Sequence, residues 1–163
     1  MDSKALADLI LADLESTVER TRAVYLERIP RLRQVSPKTL DAVLEATRRT
    51  MALFCRYYLE GTLDSDAWQT VRDATVERAG ELFSHAEIID IVDIGRSVGG
   101  EVIDNLAERH PELTAEERAK VTKAMDRYVT ELAEQEDRLR SLATPSRLDD
   151  ILVDLENEGA DLQ

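Results

Sequence analysis

Apolar residues along the chain recur with a helical period and almost never alternate. Leu6, Leu9, Ile10, Leu14, Val18 and Tyr25 fall on one face of a predicted helix over 4–28, because positions three and four apart share a helix face. Ser3 precedes that helix, and Ile29-Pro30 ends it, since a residue before proline avoids the α region. A second stripe comprises Leu40, Val43, Leu44, Thr47, Met51, Phe54 and Tyr58. Its boundaries are marked by Ser36 as cap, Pro37 in the first turn and Gly61 as the stop, each a residue type that suits its helix end. A third helix begins near Ser65, with Trp68, Val71, Thr75, Ala79 and Leu82 facing inward. Ser84-x-x-Glu87 and Thr114-x-x-Glu117 are capping boxes. They open a fourth helix at about His85, ending before Pro111, and a fifth that runs to about Leu142. Thr144-Pro145-Ser146 is a break, followed by a short helix carrying Leu148, Ile151, Leu152 and Leu155 and then an acidic tail. The expected architecture is all-α, a bundle of five or six helices with a long penultimate one. Residues 1–143 form its body and residues 144–163 a short acidic appendage.

The fourth helix carries "EIIDIVDIGRSVGGEVIDNL", residues 87–106, with Gly99 and Gly100 side by side in its interior. A helix-interior glycine costs about 1 kcal/mol against alanine. Ile88, Ile89, Ile91, Val92, Ile94, Val98, Val102, Ile103 and Leu106 cover more than one stripe, so the helix is expected to be central. Two accounts of the glycines follow. Either a neighbouring helix crosses closely there, or the helix bends or slides at that point. On the second account Arg96, Gly99 and Gly100 form a switch, with Asp93 and Arg96 spaced to pair.

In the fifth helix Val121, Met125, Tyr128, Leu132, Gln135, Leu139 and Leu142 are spaced alternately four and three apart, an a/d seam with one polar position. Val121 to Leu132 would suffice for a core helix in a bundle. Leu139 and Leu142 carry the seam through the polar stretch "AEQEDRLR", which suits self-association. Both readings, bundle core and dimer seam, stay open.

Charge narrows the partners. The net charge is −13, and so acidic a surface repels phosphate backbones and anionic lipid. Direct nucleic-acid or membrane-surface binding is not expected. Cys55 is the only cysteine, which excludes an internal disulfide and a thiolate metal cage. The start "MDSKALADLILADLES" has acids where a secretory signal needs positive charge. No apolar run approaches the roughly 20 residues that span a bilayer, so a cytoplasmic protein is expected.

No constellation selects an enzyme. His85 and His110, the only histidines, each lie at a predicted helix end, and no Glu-x-x-His pair or phosphate-binding glycine loop is present. Catalytic and metal residues are therefore expected to be none. Haem is an alternative, but His85 is too near a helix start to be a natural proximal ligand, and His110 is followed by Pro111. A small-molecule pocket would draw on Phe54, Tyr58, Trp68, Phe83 and Arg96, although such an aromatic set also serves as ordinary core.

The stretch "EGTLDSDAWQTVRDATVERAGELFSHAEIIDIVDIGRSVGGEVI" resembles the N-terminal sensor domain of RsbR-type stressosome co-antagonists and PucR-type bacterial transcriptional regulators. The preceding "YLERIPRLRQVSPKTLDAVLEATRRTMALF" fits its first half. The shared features are Ile29-Pro30, a long helix ending near Gly61, Arg78-Ala79 before a loop, and Ile94-Gly95-Arg96 in altered order, over roughly residues 20–142. The resemblance implies a globin-like fold that usually lacks haem, forms dimers and passes a signal through its last helix. It supplies no catalytic residues. Such proteins commonly continue into an effector domain, which residues 143–163 are too short to form, so a further effector or a separate protein partner is expected.

Overall fold

The structure, a computed structural model, describes residues 1–79, 83–135 and 137–138. Among them the chain is all-helical, with no strand. Its helices are α1 (Ser3–Ala12), α2 (Leu14–Arg28), α3 (Pro37–Glu60), α4 (Ser65–Ala79) and α5 (His85–Arg109), with a 3-10 turn at Pro30–Arg33 between α2 and α3. A sixth helix, α6, occupies 115–135. The short helix expected after Pro145, and the whole of 144–163, lie outside the described residues.

Several helix ends follow from local chemistry. Ser36 accepts from the Thr39 N–H at the start of α3, and Pro37 stands in the first turn. Gly61 closes α3 with φ of +77°, a left-handed conformation that costs an L-residue roughly 1–2 kcal/mol. Gly61→Ala is therefore expected to destabilise the fold by about 1 kcal/mol, measured by urea unfolding. The Ser84–Glu87 box is complete, with Ser84 Oγ accepting from the Glu87 N–H and Glu87 accepting from the Ser84 N–H.

Three expectations need correction. The single helix over 4–28 is two, jointed at Asp13. Thr17 Oγ donates to the Asp13 carbonyl at 2.9 Å, and such back-bonding bends helices. Arg109 of α5 also holds the Asp13 carboxylate at 2.7 Å. α1 begins at Ser3 itself, not after it, and its cap is Asp2, which accepts from the Ala5 N–H. At the start of α6, Thr114 Oγ accepts from the Glu117 N–H, but the Glu117 carboxylate accepts from Ser3 and Tyr58. Tertiary partners have taken half of that capping box.

α3 packs against α1, α2 and α4, while α2 also packs on α5. Burial forms two clusters. One gathers Leu6, Phe54, Tyr57, Val71, Leu106 and Tyr128 from α1, α3, α4, α5 and α6. The other gathers Val18, Tyr25, Leu32, Val43, Ile91 and Ile94 from α2, the 3-10 turn, α3 and α5. Both α3 and α5 run through the two clusters. α5 buries Ile88, Ile91, Ile94, Val98, Ile103 and Leu106, but Ile89 is exposed. α5 thus feeds both clusters, as a central helix does, with Ile89 outside its buried face.

Candidate functional site: an apolar cavity between the two core clusters

A cavity of about 100 Å³ lies where the clusters meet. Tyr25 and Ile91 come to it from one cluster, and Phe54, Ile103, Tyr128 and Leu132 from the other. Leu11 and Leu14, on either side of the Asp13 joint, cover it, and Met51 and Met125 fill its flanks. α5 presents Gly95 and Gly99 to it, four residues apart on one face.

Among the described residues no charged side chain lines the cavity, and each hydroxyl that does is already bonded to the chain. Thr17, Thr47 and Thr50 donate to the carbonyls of Asp13, Val43 and Ala46 at 2.8–2.9 Å. Tyr25 donates to Thr47 at 3.2 Å, because the Thr47 proton is committed to Val43. Tyr128 donates to the Thr50 carbonyl. The walls therefore ask nothing polar of an occupant. A recess lined in this way suits apolar molecules better than ions.

The three glycines of α5 differ. A Cβ on Gly99 would lie 2.7 Å from the Sδ and Cε of Met125, so α6 crosses there against bare backbone. A Cβ on Gly95 or Gly100 would meet nothing within 4 Å. α5 runs unbroken through all three. Close crossing accounts for Gly99 and for neither neighbour. Arg96, grouped with the glycines as a switch, is about half exposed and pairs at 3.8 Å with Asp126 of α6, not with Asp93.

The proposed ligand-lining set is not brought together. Phe54 lines the cavity. Tyr58 and Trp68 do not; they join Phe54, Tyr57 and Tyr128 in an aromatic cluster with ring centroids 5.2–6.5 Å apart. Phe83 is buried in the other cluster, and Arg96 pairs with Asp126 and does not line the cavity. Of the seam positions, Val121, Tyr128 and Leu132 are buried within this one chain and Met125 is half-buried. For those positions the bundle-core reading describes the packing. Leu139 and Leu142 lie outside the described residues. Sequence reasoning missed Tyr25, Met51, Thr47 and Gly95 as lining. The i,i+4 spacing of Gly95 and Gly99 was the available signal.

A polar cluster ties the ends of α1, α3 and α6 together. Glu117 accepts from Ser3 and Tyr58, and Lys120 donates to Ser3 at 2.7 Å. Burial raises the Glu117 carboxyl, but the hydrogen bonds from Ser3 and Tyr58, with Lys120 nearby, outweigh it and hold the group below its usual range. Burial, then Glu117, pushes the Tyr58 hydroxyl well up. Cys55 is buried, and desolvation pushes its thiol up to about 11, so it carries little thiolate at neutral pH.

His110 caps the end of α5 with its Nδ1 3.0 Å from Glu112 and does not line the cavity. The cavity is also far below the roughly 300–1,000 Å³ of sites that take drug-sized ligands or cofactors. Haem therefore does not fit it. Among the described residues no group of three or more His, Cys, Asp or Glu is placed to hold a metal, and no helix is long and apolar enough to cross a membrane. No family model, no curated protein and no solved structure matches the chain.

Proposed function

We propose that this chain is a non-enzymatic regulatory module of the bacterial cytoplasm, a globin-like helical sensor that dimerises and relays a signal to a partner or effector. The observation that carries the reading is the seat of Met125. One side chain of α6 rests on the bare backbone of α5 at Gly99 and also borders the cavity. A change in the cavity or along α5 reaches α6 at this contact, and methionine is adaptable enough to transmit it without breaking the core. The likeness to the sensor domains of stressosome and PucR-type regulators points the same way, as does the seam that continues to Leu139 and Leu142.

Because Val121, Tyr128 and Leu132 are occupied in the chain's own core, the contact between copies falls to the later part of the seam. Solution mass tests this. The intact chain, 18.4 kDa, is expected to run as a pair, and a version ending at residue 133 as a single copy. Equal association states for the two would dismiss the seam.

A further inference from the structure

We infer that the cavity between the two core clusters is a binding site for a small, uncharged, apolar molecule. This deepens the regulatory reading, on which its significance rests, while binding itself is measured without reference to signalling or assembly.

Size sets the first limit. A dry cavity of about 150 Å³ lined by Leu, Ile and Phe takes benzene or xenon, so one of about 100 Å³ suits an occupant of about six heavy atoms or fewer. The lining sets the second. With no charge among the described residues of the wall and each of their hydroxyl protons already donated to the chain, an ion would lose its hydration without replacement. A charged or strongly hydrogen-bonding ligand is thereby rejected. Leu11 gives the way in: it lines the cavity and is 42% exposed, beside the Asp13 joint.

Gly95 is the residue that keeps the site open. Alanine there would favour the helix and meet no neighbour within 4 Å. Neither backbone conformation nor helix crossing requires glycine at this position, since its φ is helical and Met125 sits at Gly99. What a side chain at 95 would do is occupy the cavity.

The chain's three methionines provide the readout. Met51 and Met125 border the cavity and Met1 does not. In the intact chain, titration with xenon and with benzene is expected to move the Met51 and Met125 methyl resonances saturably while leaving Met1 in place. Gly95→Leu should weaken xenon binding by about tenfold or more by filling the space. Gly95→Ala should weaken it less and serves as the test should the leucine variant fail to fold. Gly100→Ala, which favours the helix equally but does not face the cavity, should bind as the parent chain does. An absence of saturable shifts in the parent chain, or unchanged binding in Gly95→Leu and Gly95→Ala, would overturn the inference and leave the dimer question untouched. Binding without any change in assembly would keep the site and remove the relay.

Discussion

Tyr128→Ala is expected to destabilise the fold by about 3–5 kcal/mol, the range for emptying an aromatic core position. Tyr128 is 4% exposed, with Phe54, Tyr57 and Trp68 within 5.2–6.5 Å between ring centroids. Its hydroxyl also donates to the Thr50 carbonyl on α3, so the substitution removes packing from α3 and α4 together with a cross-helix hydrogen bond. Tyr128→Phe keeps the packing and loses only the bond, at about 1 kcal/mol. Denaturant unfolding followed by Trp68 fluorescence measures both. The pair separates the two readings of α6. A residue on a dimer seam would lower the association constant and leave the stability of one copy nearly intact, whereas a core residue does the reverse.

Glu117→Ala should cost about 1–3 kcal/mol, because it strips the acceptor from the buried Tyr58 hydroxyl and from Ser3. It also carries a pH signature. The folded Glu117 carboxyl sits below its ordinary value of 4.5, so the unfolded chain binds the proton more readily. The contribution to stability is fully present above pH 4.5 and is lost as pH falls through the lower folded value. Glu117→Gln retains an acceptor and removes the titration. Stability of the parent chain should fall more steeply than that of Glu117→Gln as acid is added below pH 4.5. Parallel curves would show that this cluster does not carry the dependence.

The helix boundaries that sequence could supply are those written in local chemistry. Ser36 with Pro37, Gly61, and Ser84 with Glu87 each satisfy a helix end from within a few residues, and no distant partner is needed. The joint at Asp13 is different, because Arg109 holds it from 96 residues away. Glu117 was legible as a capping residue until Ser3 and Tyr58, 114 and 59 residues distant, took its carboxylate. The four-three spacing of α6 fixes which side chains share a stripe, yet a stripe that buries against α3 and one that buries against a second copy read alike. Spacing puts Gly95 and Gly99 on one helix face, but sequence does not say what each of the three glycines meets. Met125 marks the crossing point at Gly99, and the cavity tells the open wall at Gly95 from Gly100. The aromatic set is likewise divided by packing: Phe54 and Tyr58 stack, Trp68 meets Tyr57 and Tyr128, and the void forms beside them, where threonines and glycines leave room.

On the proposed function, Met125 couples the state of the cavity to the contact between copies of the chain. The most direct measure of that coupling is the dimer dissociation constant of the intact chain by sedimentation equilibrium, compared with Gly95→Leu as a permanently filled cavity and with Gly100→Ala. The account predicts a parent chain that dimerises, a shift of about fivefold or more in Gly95→Leu, as allosteric coupling typically gives, and no shift in Gly100→Ala. A single 18.4 kDa species at every concentration, or one dissociation constant shared by all three chains, would contradict it.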